Sequence, residues 1–194
     1  MPHKKLTAFR QYAQHYWSIP DQDWAQVVKR FRRREIKRNA VLLQEGKTCR
    51  HLWFVESGLL RFHLNKDGAD VTKFFTIAPY CFTSQTSFNR RIPAKESISA
   101  IEDSVLWETT FAENEELLEL KSWNTFARKV AQEVQYYTEH ILEALQTETA
   151  EHRYRQLLDN QDNLLQRVPL KHLASFLGIA PQSLSRIRRR HAKS

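Results

Sequence analysis

The sequence predicts an α+β protein with N-terminal helices, an antiparallel β-barrel or jelly roll, one long helix, and a C-terminal pair of short helices. The spacing of its apolar residues separates these parts, since it is helical over residues 4–33, alternates over 35–110 and is helical again beyond Phe111. Three of the four glycines lie within the alternating part, at positions that suit turns. Many short strands joined by such turns are typical of a small barrel or jelly roll.

Two helices are expected ahead of the strands. Apolar residues repeat at helical spacing in both, and the segment 18–21 has the pattern of an N-cap box that opens the second helix. The apolar positions are Phe9, Tyr12, Ala13, Tyr16, Trp24, Val27, Val28 and Phe31. The basic run 29–38 is interpreted as a solvated helix end that leads into a strand, with contact to phosphate as the alternative.

Short strands should follow one another between residues 35 and 110. The strongest signal is Asp67-Gly68, which lies between two alternating segments and predicts a tight β-hairpin. Gly46 and Gly58 mark two further turns. The segments expected to contain strands are 41–46, 51–58, 59–65, 71–75, 97–100 and 105–108.

One long helix is expected over residues 113–147, because neither Gly nor Pro interrupts this segment. A narrow apolar seam runs along it in steps of three and four residues. The seam residues are Val130, Val134, Tyr137, Ile141 and Leu145. At a rise of ~1.5 Å per residue such a helix overruns a small barrel. The seam is therefore expected to pair two subunits rather than to pack only on its own barrel.

Residues 167–190 are expected to form two short helices joined by a tight turn. The first helix should end at Gly178, because a helix C-terminus favours a residue that tolerates positive φ. Pro181 suits the first turn of the second helix, where its missing N–H costs nothing. The apolar positions that should pack the two helices together are Leu170, Leu173, Ala174, Leu177, Ile179, Leu184 and Ile187.

The chain is basic, with a formal net charge of +8, and this excess is concentrated at its ends. No Asp or Glu follows Asp162, whereas seven Lys or Arg residues do, among them Lys193. A surface of one sign is typical of polyanion binding, and glutamine with arginine on a short helix suits base edges and phosphates in a major groove. We interpret the segment as a helix-turn-helix that binds DNA. The alternative is a solvated hairpin whose arginines complement the helix dipole.

Several classes of function are not supported by the composition. Two cysteines, Cys49 and Cys81, cannot form a four-cysteine metal site, and we expect two buried free thiols in a reducing cytoplasm. The sequence has neither an apolar signal segment nor a stretch long enough to span a membrane. His51 and His63 stand far apart without an HxH motif, and no nucleophile–base pair is evident. Neither an enzyme nor a bound cofactor is therefore expected.

The order of these parts and several short motifs resemble the Crp/Fnr family of bacterial transcription regulators, in particular a Bacteroidetes-type branch. The motifs that carry the resemblance are 45–46, 56–58 and 67–68 in the barrel, and 151–158 and 167–189 in the C-terminal part. The resemblance implies a cyclic-nucleotide-binding-like sensor domain over 1–112, a dimerisation helix over 113–147 and a helix-turn-helix DNA-binding domain over 148–194. It also implies a cytoplasmic homodimer that acts with double-stranded DNA, RNA polymerase and a small-molecule effector of unknown identity.

The resemblance also assigns DNA-contacting residues. In the family the second helix of the motif reads bases with a polar residue at its second position and an arginine one turn later. Gln182 and Arg186 occupy these positions. The resemblance implies phosphate contact or assisted readout for Ser183 and Ser185, and backbone contacts for Arg188, Arg189 and Arg190. Lys171 is a further candidate for contact with DNA. The sequence ends at Ser194, so the β-hairpin wing that often follows this helix is expected to be missing.

The sensor part departs from the family pattern. Members that bind cyclic nucleotides carry a Gly-Glu pair and, further on, an arginine next to a small residue. The equivalent stretch 79–100 has no glycine, and the arginine position falls near Ala94 or Lys95. We therefore expect no cyclic AMP binding in the usual mode, and no ligand set for haem or an iron–sulfur cluster. The remaining candidates for contact with a ligand are Thr83, Ser84, Gln85, Arg90, Arg91 and Lys95.

Two alternatives stay open at this point. The protein could be a cyclic-nucleotide- or other anion-responsive regulator that uses a non-standard pocket. It could also be a protein- or RNA-binding adaptor that keeps the fold without the DNA function. The intact pair Gln182 and Arg186 argues against the adaptor, since an acidic or truncated second helix would be expected there.

Overall fold

Residues 6–191 are described by a computed structural model that contains helices and strands in the order expected. The helices are α1 (Thr7–Tyr16), α2 (Asp21–Arg30), α3 (Gln85–Arg90), α4 (Phe111–Leu118), α5 (Lys121–Thr147), α6 (Ala150–Arg167), α7 (Leu170–Leu177) and α8 (Pro181–His191). The strands are β1 (Arg32–Ile36), β2 (Val41–Leu43), β3 (His51–Ser57), β4 (Leu59–Lys66), β5 (Ala69–Ile77), β6 (Tyr80–Phe82), β7 (Ser97–Ala100) and β8 (Ser104–Thr110).

The strands form two antiparallel four-stranded sheets that pack face to face. The first sheet has the order β1-β8-β3-β6, and the second has the order β2-β7-β4-β5. Their inner faces bury an apolar core that includes Trp53, Phe62, Ile98 and Leu106. The predicted α+β class with an antiparallel jelly roll is therefore confirmed. The short elements β6 and α3 were not predicted, because they carry too little periodicity.

The hairpin predicted at Asp67-Gly68 joins β4 to β5. Both residues have positive φ, 53° and 83°, as a two-residue turn between twisted strands requires. The paired residues run from Leu59 opposite Ile77 to Lys66 opposite Ala69. The turn sets the register up to His63 opposite Thr72, and a bulge then shifts it by one residue before Phe62 opposite Phe74. The predicted hairpin is confirmed.

Gly58 connects β3 to β4. Of the glycines, it is the one whose substitution should destabilise the fold most. Its φ is +116°, and a Cβ built on it would lie 2.1 Å from Ser104 Oγ and 2.8 Å from Ser104 Cα. Because the second neighbour is a backbone atom of β8, rotation of a side chain cannot relieve the overlap. Gly46 also has positive φ, at +82°, but a Cβ there would meet nothing within 4 Å.

We expect Gly58→Ala to lower the free energy of unfolding by roughly 3 kcal/mol or more. The cost of the positive φ at position 58 is added to the cost of displacing β8 at Ser104. Gly46→Ala is the matched control, because it carries only the left-handed strain of about 1–2 kcal/mol. Urea unfolding of the two variants and the wild type measures both effects. Equal losses in the two variants would show that the contact with Ser104 is not decisive.

The N-terminal helices cover the outer face of the first sheet together with α4 and the start of α5. Phe9 of α1 is fully buried and stacks on Phe54 of β3, with 4.4 Å between the ring centroids. Trp24, Leu117 and Trp123 belong to the same N-terminal cluster. This packing fixes the position of α5 relative to the jelly roll.

The structure differs from the prediction at both ends of the second helix. The N-cap box at 18–21 is wrong, because α2 begins at Asp21 behind Pro20, which makes no side-chain cap bond. A residue before proline is kept out of the helical region, so Ile19 cannot join the helix. The helix also ends at Arg30 rather than near residue 33, because the following residues pair as β1 with β8.

The single helix predicted over 113–147 is also wrong. The chain forms α4 and then α5, with a break at Glu119 and Leu120, whose ψ is 117°. Leu117 before the break and Trp123 after it are both fully buried in the N-terminal cluster, which a straight helix through this point does not achieve. Since no Gly or Pro marks the break, the sequence could not reveal it. The remaining helix α5 still spans 27 residues.

The C-terminal helices confirm the predicted pair joined by a turn. Gly178 ends α7 with φ 72°, and its N–H reaches the carbonyl of Ser175. Thr149 caps α6 by accepting a hydrogen bond from the backbone N–H of His152. These helices and the second sheet share a third apolar cluster, whose buried members include Leu59, Ile101, Tyr154, Leu164, Leu173, Leu177, Leu184 and Ile187.

Candidate nucleic-acid interface

Helix α8 has one buried face and one open face. Leu184 and Ile187 are buried against the third cluster, as predicted. Gln182 and Arg186 lie one turn apart on the other side and are exposed. Among residues 6–191, neither side chain forms a hydrogen bond or an ion pair. These two side chains are therefore available to an external partner.

The neighbouring polar residues of α8 are partly engaged within the protein. Ser183 and Ser185 are half-buried, and Ser185 Oγ donates to the carbonyl of Pro181 at 3.0 Å. Arg188 Nη2 donates to the carbonyl of Leu165 at 3.2 Å, near the C-terminus of α6. Arg188 thus holds α8 against α6, in addition to any role at a phosphate.

The last turn of α8 carries further cations. Arg189 Nε lies 3.4 Å from the carbonyl of Ser185. Arg190 Nη2 forms an ion pair with Glu151 of α6 at 2.9 Å. Lys171 is exposed in the first turn of α7, and Lys193 lies outside the described residues. The predicted DNA-contacting residues are thus divided between α7 and α8; of those on α8, Gln182 and Arg186 are exposed and form no hydrogen bond within residues 6–191.

The basic run 29–38 leads from the end of α2 into β1, as expected, although more of it belongs to the strand than to the helix. Five of its cations lie within 4 Å of a carboxylate, in the pairs Arg30–Glu116, Arg32–Glu113, Arg33–Glu35, Arg34–Glu108 and Lys37–Asp103. The hydrogen bond from Arg32, with further bonds from Thr110, lowers the pKa of Glu113 to about 2 against the effect of burial. Five of the seven cations in the run thus have a carboxylate partner within the protein.

The seam predicted on α5 lies mostly at the surface of the single chain. Val134 and Ile141 are half-buried, whereas Tyr137 and Leu145 are 46% and 54% exposed. Val130 instead packs against the N-terminal cluster. Four apolar residues at helical spacing are therefore partly or largely exposed along one face of α5.

The candidate ligand residues lie on α3 and in its flanking loops. Thr83 Oγ1 donates to the carbonyl of His51 at 2.9 Å, and Ser84 Oγ donates to Glu96 at 2.7 Å. Arg91 Nη1 donates to the carbonyl of Cys49 at 2.7 Å. These three side chains are thus committed to internal contacts. The other three candidates, Gln85, Arg90 and Lys95, are exposed.

Aromatic rings occupy the space between the two sheets. Phe62 stacks on Phe74 with 4.0 Å between the centroids, and Trp53 stacks on Phe82 at 5.5 Å. Phe62 also meets Phe82 edge to face at 5.9 Å. A ligand that entered between the sheets at this point would have to displace these rings.

Other chemistry is limited in the part of the chain that the structure describes. Cys49 and Cys81 are buried and free, which confirms the prediction for the cysteines, and burial raises the pKa of the Cys81 thiol to about 12. No group of three or more His, Cys, Asp or Glu side chains within residues 6–191 could hold a metal ion. None of the helices described there is long and apolar enough to cross a membrane.

Sequence reasoning missed two sets of residues that position α7 and α8. Glu151, which holds Arg190, is the first residue of the motif 151–158, but nothing in that motif indicates its pairing with α8. Arg61 of β4 contacts His172 of α7. The sequence signal for Arg61 is a charged residue among Leu59, Leu60 and Phe62. The alternation of side chains in that run predicts only a strand.

Comparison with known proteins identifies the fold. Residues 33–120 match the family model of the cyclic nucleotide-binding domain. No curated protein sequence matches the chain. Among solved structures, FixK2 from Bradyrhizobium japonicum is 18% identical over 84% of this chain and 85% of its own, with a TM-score of 0.69. A CooA variant from Carboxydothermus hydrogenoformans is 19% identical over 86% and 78%, with a TM-score of 0.67.

A third similar structure carries a description of its class. A protein from Eubacterium rectale, described as a transcriptional regulator of the Crp/Fnr family, is 15% identical over 89% of this chain and 83% of its own, with a TM-score of 0.69. Residues 33–120 of the present chain thus resemble a cyclic nucleotide-binding domain, and the chain shares its fold with these three solved structures.

Proposed function

We propose that the protein is a homodimeric, sequence-specific DNA-binding transcription regulator of the Crp/Fnr type, and that α7 and α8 are its helix-turn-helix. The observation that carries the proposal is the open face of α8. Gln182 and Arg186 project from one side of a helix whose other side is anchored by Leu184 and Ile187. Such a helix can enter a major groove with both polar groups directed at base edges.

Two further observations support this proposal. The segment after Asp162 has no acidic residue, so the surface of α7 and α8 is not neutralised from within, apart from Glu151 against Arg190. The structural similarity to FixK2 and CooA, which covers more than four fifths of the chain, supports a regulator of this general architecture. We also propose the Bacteroidetes-type branch, on the motifs 151–158 and 167–189.

Selection of bound duplexes from a random DNA library tests the function directly. We expect the wild type to enrich a two-fold symmetric site whose half-sites lie about one helical turn, ~34 Å, apart. The control is the double variant Gln182→Ala, Arg186→Ala, which leaves Leu184 and Ile187 in place and should enrich no defined site. Failure of the wild type to enrich any sequence would count against the proposal and favour an adaptor.

We further propose that the sensor domain does not take cyclic AMP in the usual mode. The stretch 79–100 lacks a Gly-Glu pair, and Thr83, Ser84 and Arg91 already bond within the protein. Titration calorimetry of the full chain with cyclic AMP and cyclic GMP should therefore give no saturable heat up to the millimolar range. Saturable binding at micromolar levels would favour an anion-responsive regulator, with Arg90 or Lys95 as the phosphate partner.

A further inference from the structure

Helix α7 lies directly against β5, the edge strand of the second sheet. Ser175 Oγ accepts a hydrogen bond from the backbone N–H of Thr72 at 2.9 Å and donates to the carbonyl of Asp70 at 3.1 Å. Phe176 meets Phe75 edge to face at 5.5 Å. A helical side chain thus takes the hydrogen bonds that a further strand would take on this edge, and it couples the sensor domain to the C-terminal helices.

Arg61 of β4 stands at the centre of this contact and is only 4% exposed. Its Nη2 donates to both carboxylate oxygens of Asp70 at 2.8 Å, and its Nη1 donates to Thr72 Oγ1 at 3.3 Å and to His172 Nδ1. A guanidinium group is a donor only. His172 Nδ1 must therefore be the acceptor, and the imidazole is neutral while α7 is docked.

The charges around His172 favour that neutral state. Arg61 and His63 face it from β4, Asp70 faces it from β5, and Lys171 precedes it on its own helix. Burial lowers the pKa of His172 to about 4, Arg61, Lys171 and His63 act in the same direction, and Asp70 opposes them. Burial and Arg61 also lower the pKa of His63, although its Nδ1 lies 3.3 Å from Asp70 Oδ1.

We propose that Arg61, Asp70 and His172 form a proton-sensitive clamp that docks α7, and with it α8, on the second sheet. Arg61 is the positioning residue, because it links strands β4 and β5 to α7, and α7 is followed by the turn and α8. A proton on His172 Nδ1 removes the acceptor and places a second cation against a buried guanidinium. The clamp is a property of the folded chain and does not depend on DNA binding.

The direction of the pH dependence follows from linkage. An undocked His172 has an ordinary pKa near 6.5, above the value of about 4 in the docked state. Between these values the undocked state binds more protons, so acidification favours it and the docked state is fully favoured only above about pH 6.5. At pH 5 the docking equilibrium should be weaker by roughly tenfold or more than at pH 7.5.

Hydrogen exchange of the full chain without DNA tests the clamp. Protection factors of the α7 amides and of the Thr72 amide report the opening of this contact, and those of α5 serve as an internal reference. We expect wild-type protection of α7 to fall about tenfold or more between pH 7.5 and pH 5, relative to α5. His172→Gln retains an acceptor oxygen but does not titrate, so its α7 protection should be high at both pH values.

His51→Gln is the matched control, since the pKa of His51 is also lowered by burial but the residue lies on β3 in the other sheet. This variant should keep the wild-type pH dependence. NMR titration of the His172 ring in the unaltered protein provides a check that needs no substitution. An ordinary pKa for that ring, or an equal loss of α7 protection in His172→Gln and the wild type, overturns the proposal whether or not the protein binds DNA.

Discussion

The double variant Val134→Asp, Ile141→Asp should be monomeric and should bind its DNA site about a hundredfold or more weakly than the wild type. Both residues lie on the open seam of α5, which a second copy of the helix is proposed to cover. Each substitution would place a carboxylate in an apolar interface, where an unpaired charge costs several kcal/mol. A monomer would also present a single α8 and could contact only one half-site at a time.

Sedimentation at micromolar concentration and DNA titration measure the two parts of this expectation. The matched control is Gln132→Asp, Tyr136→Asp, which adds the same charge to exposed positions on the opposite side of α5. It should remain dimeric. A wild-type chain that sediments as a monomer under these conditions would remove the basis for the proposed dimer, and α5 would then be a surface helix only.

Arg186→Ala should weaken binding to the cognate duplex strongly and to a scrambled duplex little. A bidentate contact from arginine to guanine O6 and N7 contributes about 1–3 kcal/mol of discrimination, and a dimer has two such contacts. The structure leaves Arg186 exposed and, within residues 6–191, unpaired, so its removal breaks no internal hydrogen bond or ion pair. The fold should therefore keep its thermal stability. Equal weakening on both duplexes would make Arg186 a phosphate contact instead.

Arg190→Ala should weaken binding to all sequences alike. If Arg190 binds a phosphate, its removal should lower the magnitude of the log–log salt slope by about 0.9 per subunit. Because Arg190 is paired with Glu151, the matched control is Glu151→Gln, which breaks that pair but keeps the cation. An exposed pair contributes little to stability, so the control should bind at least as well as the wild type. If both variants lose affinity equally, Arg190 acts by orienting α8 and not at a phosphate.

Most of the predicted elements depended on signals of a few neighbouring residues. Asp67-Gly68 fixed a hairpin, Gly178 fixed the end of α7, and Pro181 fixed the start of α8, because each of these roles depends on the backbone preferences of one or two residues. The N-cap pattern at Ser18 predicts the wrong start for α2, because Pro20 decides where that helix begins. The predicted open face of α8 needed only helical geometry.

The predictions for the candidate ligand residues around α3 are less complete, because the contacts of these side chains depend on segments that are distant in the chain. Thr83 and Arg91 were expected as ligand contacts, yet they bond to carbonyls of His51 and Cys49, far away in the chain. Whether a polar side chain is available or engaged depends on which segment packs beside it. A single sequence contains no record of that neighbour.

By itself the sequence determined the class of fold, the order of its parts, the apolar seam of α5 and the polar face of α8, since all of these follow from periodicity and local turns. Only the tertiary structure decided the break at Glu119, the pairing of the basic run with carboxylates, and the contact of Arg61 with His172, which are 111 positions apart. The physical reason is the same in each case. Burial and charge pairing depend on contacts between segments that are remote in the sequence. The residues next to a side chain along the chain therefore do not determine them.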